Sequence, residues 1–179
     1  IEWIYDGEDL YFLPNPISNF EGANALSGIQ KPIIASLCAD YFVKAPLLRV
    51  PENIFEQRFE RLRWLIFQCS LAKIPILVLP FVDDNAIRID SEIGEVSHIL
   101  YVLSDLANAC GVKIALETNL NPKNSISLLK ESPLCVSINY DSGNSASLGY
   151  DIEEEWNTYG WFVSNVHIKD RVLGGNSVP

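Results

Sequence analysis

The sequence predicts an α/β chain folded as an incomplete (β/α)8 barrel, and three observations predict it. Six short apolar runs alternate with helical patterns along 179 residues, which is how βα units around a parallel sheet read. Three consecutive runs end on metal-capable side chains: KIALETN on Glu117, VSINYDSGN on Asp141 and VSNVHIKD on His167. Their separations of 24 and 26 residues each match a strand, a helix and their loops, so a parallel repeat brings all three to one end of the sheet. Finally, period-2 counting back from these residues gives polar inner faces. Asn139 and Ser137 share a face with Asp141, Asn165 with His167, and Ala115 and Lys113 with Glu117. An open doubly wound sheet fits the alternation too. It would bury those faces under helices, at about 1–3 kcal/mol for each unsatisfied group; the wet interior of a barrel would not.

Each element has a local reason. Ile1–Asp6 reads as the first strand, followed by a weak helix over Asn15–Gln30 with Pro16 at its start and Gly28 near its end. Pro32–Asp40 is the second strand. Pro51–Lys73 is a long amphipathic helix with Ile54, Phe55, Leu62, Leu65, Ile66 and Cys69 on one face. Pro75–Phe81 is almost wholly apolar, as a strand covered on both faces should be. Asp90 or Ser91 is placed to cap a helix that runs to about Cys110 and stops at Gly111. Val112–Thr118 is the fourth strand. Asn121 and Pro122 open a short helix to Glu131. Leu134–Asp141 is the fifth strand, Asp151–Tyr159 a short acidic helix, Val163–Asp170 the sixth strand, and Arg171–Pro179 a Gly-rich loop.

Bulk properties narrow the function. A formal net charge of −10 repels phosphate backbones, so nucleic acid is not an expected partner. No stretch is apolar enough to cross a bilayer, since Phe55–Ile76 carries Arg58, Glu60, Arg61, Arg63 and Lys73. The four cysteines lack CxxC spacing and read as reduced core residues of a cytoplasmic protein. No linker or composition break divides the chain, so one domain is expected. A barrel needs eight strands and about 250 residues, and the first residue is not Met; the chain reads as a segment of a longer barrel. The sequence contains no P-loop, GxGxxG, GxSxG or zincin motif.

Glu117, Asp141 and His167 converge as a divalent cation site, because two carboxylates and an imidazole suit Mn, Mg, Co or Zn alike. Each has a plainer reading as well: a salt-bridged strand carboxylate, a helix-capping Asp and a packed core His. Lys169 shares its strand face with His167 and is placed either to meet a bound oxyanion or to form a salt bridge. Arg171, with Gly174 and Gly175, offers a loop for a phosphate. Glu2, Ser36, Cys38 and Asp40 have inward parity, and Glu2, Cys38 and Asp40 are taken as candidate substrate contacts. His98 sits in a helix as a surface or packing residue.

IEWIYD, ALETN, NYDSGNSASLGYD and SNVHIKDR together resemble the sugar phosphate isomerase/epimerase family, the xylose-isomerase-like TIM barrels. The resemblance covers nearly the whole chain as barrel strands two to seven. It implies a divalent metal on Glu117, Asp141 and His167, with a fourth ligand, a Glu after an eighth strand, not among these 179 residues. Asn144 falls where the family often has a substrate-binding His, so the resemblance implies a substrate hydrogen bond there. The implied reaction is proton transfer beside a ketose carbonyl through a metal-stabilised enediolate. Glu117 would be one acid/base and the eighth-strand Glu the other, so the segment alone is expected to turn over little or nothing. The implied partner is a sugar or sugar phosphate, and a homo-oligomer is possible within the family. Two alternatives stand beside this reading. One is a barrel that binds sugar or a partner without turnover. The more remote is an apurinic-site endonuclease, which needs more histidines and a basic face.

Overall fold

A computed structural model describes residues 1–7 and 33–175. Its strands are β1 (Glu2–Ile4), β2 (Ser36–Cys38), β3 (Ile76–Phe81), β4 (Lys113–Thr118), β5 (Val136–Asp141) and β6 (Val163–His167). They form one six-stranded sheet in the order β1-β2-β3-β4-β5-β6, and every neighbouring pair is parallel. The helices between them are α1 (Tyr41–Lys44), α2 (Glu52–Ala72), α3 (Asp90–Cys110), α4 (Pro122–Glu131), α5 (Ser142–Leu148) and α6 (Ile152–Tyr159). The sheet curls until its first and last strands meet: Asn165 on β6 donates to Glu2 on β1 across the interior at 3.1 Å. The result is an incomplete (β/α)8 barrel.

The two faces of each strand go to different places. Leu77, Leu79 and Phe81 of β3 and Ile114 and Leu116 of β4 point outward and pack under the helices. There they meet Leu62, Leu65, Ile66 and Cys69 of α2 and Val96, Leu100, Leu103 and Ala107 of α3. Cys38, Val78 and Ala115 form a small apolar layer on the inner face. Beyond it toward the strand C-termini the inner face turns polar, with Ser137, Asn139, Glu117 and Asp141 all buried. Buried polar groups demand partners, and Ser137, Asn139, Glu117 and Asp141 all find them at this end of the barrel.

Helix ends follow the chemistry of the chain. Lys73 closes α2 and Gly111 closes α3 in the left-handed conformation, at φ of 58° and 65°, and each cap N–H returns to carbonyls of the last turn. Asn121 accepts the Asn124 N–H at 2.9 Å and Asp151 the Glu154 N–H at 2.9 Å, capping α4 and α6. The start of α3 differs from expectation: Ile89 is the N-cap, and Asp90 lies inside the helix. Ile89 has no side-chain acceptor, so Glu92 reaches back to the Arg88 N–H at 2.6 Å and the Ile89 N–H at 3.4 Å.

Several predicted bounds also move. The first strand is Glu2–Ile4 rather than Ile1–Asp6, and the second is Ser36–Cys38 rather than Pro32–Asp40, because these two share only three register pairs. The last strand stops at His167 rather than Asp170; the chain then turns onto α5, where the Lys169 N–H and C=O both bond Ser142 Oγ at 2.9 Å. The helix expected over Asn15–Gln30 and the last four residues of the tail lie outside the described residues. Among the described residues no helix is long and apolar enough to cross a membrane.

Candidate functional site

Three strand ends supply the centre of the site. Glu117 is the penultimate residue of β4, Asp141 the last of β5 and His167 the last of β6. Asp141 pairs with His167 in register, so their side chains emerge together. One ligand-capable atom from each of Glu117, Asp141 and His167 lies within 4.8 Å of the others. His167 Nδ1 is 3.2 Å from Glu117 Oε2 and 3.6 Å from Asp141 Oδ2. Its other ring nitrogen, Nε2, is 2.6 Å from Glu2 Oε1.

A ring of amides holds these groups in place. Asn139 gives Nδ2 to Glu117 Oε2 at 3.0 Å and also lies 3.1 Å from His167 Nδ1. Asn165 gives Nδ2 to Glu2 Oε2 at 3.1 Å and to Asn139 Oδ1 at 2.9 Å. A bulge makes this possible. The β5–β6 register shifts between Ile138 and Asn139, so Ser164 can reach Ser137 at 2.7 Å while the next residue, Asn165, reaches Asn139. Asn144 gives Nδ2 to Glu117 Oε1 at 2.7 Å. Both Glu117 oxygens are thereby fixed by neutral donors.

Asp141 does two jobs. Its Oδ1 accepts the Asn144 N–H at 2.9 Å and caps α5. Its Oδ2 is buried, makes no aligned hydrogen bond and lies 2.7 Å from Lys169 Nζ. The helix-capping and site-facing readings of this residue therefore both hold, one on each oxygen. Glu155 supports the same helix from behind. This buried carboxylate on α6 accepts the hydroxyls of Tyr159 at 2.6 Å, Tyr140 at 3.2 Å and Ser145 of α5.

The crowding of carboxylates sets the charge states. Burial alone would lower the His167 pKa, but contacts with Asp141, Glu117 and Glu2 outweigh it and push the imidazole up to about 11. Burial would raise Asp141; His167, Lys169 and the Asn144 N–H hold it well below the usual carboxylate range instead. Glu2 is likewise lowered, burial being overcome by His167, Ser36 and Asn165. Lys169 is raised, its burial outweighed by Asp141 and Glu117. Burial, then Asp40 and the nearby carboxylates, push the Cys38 thiol far up, so Cys38 is a neutral donor to Asp40 Oδ1 at 3.1 Å.

Most of the sequence-derived candidates share one space. Glu2, Cys38, Asp40, Glu117, His167, Lys169 and Arg171 line a cleft of about 720 Å³, with Lys44 and Asp83 on its walls. Asn144 does not line this cleft: it is buried behind Glu117, with its amide spent on that carboxylate. Glu2 is turned to His167, Ser36 and Asn165. His98 is exposed on α3. The sequence places Asn165 on the inner face without marking it as a site residue, and it does not single out Glu155. Asn165 was within reach, since an amide on the inner face beside a strand-end His is a buried polar group in need of partners. Nothing in the pattern IEEEWNTY separates Glu155 from its two exposed neighbours.

Comparison with family models and with curated proteins by sequence returns no match. Comparison with solved structures does. A xylose isomerase domain protein from Planctomyces limnophilus superposes with a TM-score of 0.71 at 17% identity, over 94% of this chain and 62% of its own. The fold is that of the xylose-isomerase-like TIM barrels. The same fold is shared with the IolI protein, whose structure carries a bound zinc atom, at a TM-score of 0.70 and 19% identity over 95% and 62% of the two chains. It is shared too with the 3-keto-D-glucoside 4-epimerase YcjR of E. coli, at 0.67 and 16% over 88% and 65%. The chain thus spans less than two thirds of the length of each of these xylose-isomerase-like barrels.

Proposed function

We propose that the chain carries the metal-binding and proton-transfer part of an isomerase or epimerase barrel acting on a sugar or sugar phosphate. The observation that supports this best is the meeting of Glu117, Asp141 and His167 at one mouth of the barrel. Their spacing suits a shared cation. Bonds of about 2.0–2.2 Å at tetrahedral to octahedral angles separate neighbouring ligand atoms by about 3–3.6 Å. The Nδ1 distances of 3.2 and 3.6 Å fall in that range. The buried Asp141 Oδ2 without an aligned hydrogen bond is a further fit. Two structural neighbours add support: IolI holds zinc, and YcjR is a sugar epimerase.

A bound divalent cation would supply Lewis-acid polarisation of a ketose carbonyl and its neighbouring hydroxyl. The protein's residues do the rest. Glu117 moves the proton at the carbon beside that carbonyl. Asn144 and Asn139 keep its two oxygens aimed without adding charge. Lys169 and Arg171 on the cleft wall offer cations to an oxyanion or a substrate phosphate. Asp40 and Cys38 line the same cleft as polar contacts for hydroxyls. Titration of the chain with Mn2+ or Zn2+ by calorimetry tests the reading. One ion per chain is expected, lost in Glu117→Gln with the circular dichroism spectrum unchanged. Absence of uptake by the folded chain, or full uptake by Glu117→Gln, overturns it.

A further inference from the structure

We infer that Glu2 is the positioning residue of the site: it holds His167 through Nε2 so that Nδ1 faces Glu117 and Asp141. The inference rests on the metal reading above and deepens it. An imidazole that binds a cation through one nitrogen needs its other nitrogen protonated and held, most often by a carboxylate, and that partner sets both tautomer and ring orientation.

His167 has this arrangement on both sides. Nε2 is buried and lacks an aligned hydrogen bond, and Glu2 Oε1 lies 2.6 Å from it as an ion-pair partner. The second oxygen of Glu2 is already taken by Ser36 Oγ at 2.7 Å and Asn165 Nδ2 at 3.1 Å. Glu2 is therefore anchored on β1 and β2 from one side and tied to β6 from the other, with one oxygen left for the ring. Asn165 also bonds Asn139, which reaches both Glu117 and His167 Nδ1. Glu2 is thus linked through amides to the same carboxylate that Nδ1 faces.

Glu2, Cys38 and His167 also lie within 4.8 Å of one another, so a second cation on a thiol-bearing face is the competing arrangement. Distances decide against it. The 2.6 Å between Nε2 and Oε1 is shorter than the roughly 3–3.6 Å that separates two ligands of one cation, whereas the Nδ1 side matches that spacing. Cys38 is moreover engaged with Asp40.

The test is Zn2+ affinity together with nitrogen-15 NMR of the imidazoles, of which the chain has two. In the Zn2+-loaded chain His167 is expected as a single species protonated at Nε2. Glu2→Ala is expected to weaken Zn2+ about 10–100-fold, the usual effect of removing such a partner, and to lose the hydrogen-bonded Nε2–H resonance. Glu2→Gln, which keeps an acceptor, is expected to lose less and to shift that resonance. Both should still bind one ion. Unchanged affinity with an unmoved resonance in Glu2→Gln and Glu2→Ala overturns the inference while leaving the metal reading intact; if the Ala variant fails to fold, the Gln variant decides alone. A second ion lost in Cys38→Ser, with a thiolate-to-cobalt charge-transfer band in the Co2+ form, makes Glu2 a ligand and also overturns it. No uptake by the unaltered chain overturns both readings.

Discussion

Asp141 gives the sharpest test of the site, because its two oxygens do separable work. Oδ1 caps α5 through the Asn144 N–H at 2.9 Å, and Oδ2 faces His167 and Glu117. Asn at this position keeps the cap, since Asn and Asp are near equals there, but removes the anionic ligand. Ala removes both. The cap is worth about 1 kcal/mol. A cation present at a hundredfold over its dissociation constant stabilises the folded chain by about 2.7 kcal/mol. For a chain of this size each kcal/mol moves the melting temperature by about 2–4 °C, so saturation should raise it by about 5–11 °C. Thermal unfolding with and without Mn2+ measures both effects. The unaltered chain should show the full rise and both variants should lose it. Without Mn2+, Asp141→Ala should melt about 2–4 °C below Asp141→Asn. An Asn variant that keeps the Mn2+ shift refutes the ligand role. Equal melting of the two variants in the absence of Mn2+ refutes the cap.

Two further expectations lie outside the metal. Burial would raise the pKa of Glu92, but the Arg88 N–H and the Arg49 guanidinium, 2.6 Å away, hold it below 4.5. The stability it contributes is therefore complete above about pH 4.5 and is lost as pH falls toward the lowered value. Urea midpoints of the unaltered chain should drop across that acidic window more steeply than those of Glu92→Gln; parallel pH profiles would show the pair to be inert. At Gly143 an added Cβ would sit 2.8 Å from Lys169 Cβ and 3.1 Å from Arg171 Cγ. Gly143→Ala should cost about 1–3 kcal/mol as overpacking, and a stability within error of the unaltered chain would mean that the Lys169–Arg171 segment yields freely.

The sequence showed the inner faces well because strand parity is a strict rule. Counting by two from Glu117, Asp141 and His167 placed Ser137, Asn139 and Asn165 inside, and they are inside. It did less well where short elements answer to tertiary packing. The Ser- and Gly-containing stretch SGNSASL has little helical propensity, yet α5 forms there because Asp141 caps its start and Glu155 binds Ser145. The hydrogen-bond partners of Glu2 and Asn144 are not legible in the sequence for a related reason. Parity says which way a side chain points but not what already occupies the space it points into. Glu2 has inward parity and is consumed by His167, Ser36 and Asn165. Asn144 lies one turn into a helix whose register was not legible, and that register aims its amide at Glu117.

The choice of amides around the centre follows from electrostatics. Glu2, Glu117 and Asp141 put three acids about one imidazole, and the side chains that fill the gaps among them are Asn139, Asn144 and Asn165. A Lys or Arg in any of those places would neutralise a carboxylate permanently and weaken the field that attracts a divalent ion. An apolar residue would leave buried oxygens without donors, at about 1–3 kcal/mol or more each. An amide avoids both costs: it satisfies the oxygen and leaves the charge. Positive charge meets these carboxylates at the His167 imidazole and at the Lys169 ammonium, 2.7 Å from Asp141 Oδ2. The Lys169 side chain is 39% exposed, whereas the three amides are tied among the carboxylates and to one another. Neutral donors behind the carboxylates and cations on the cleft side are the arrangement that the proposed ion site calls for.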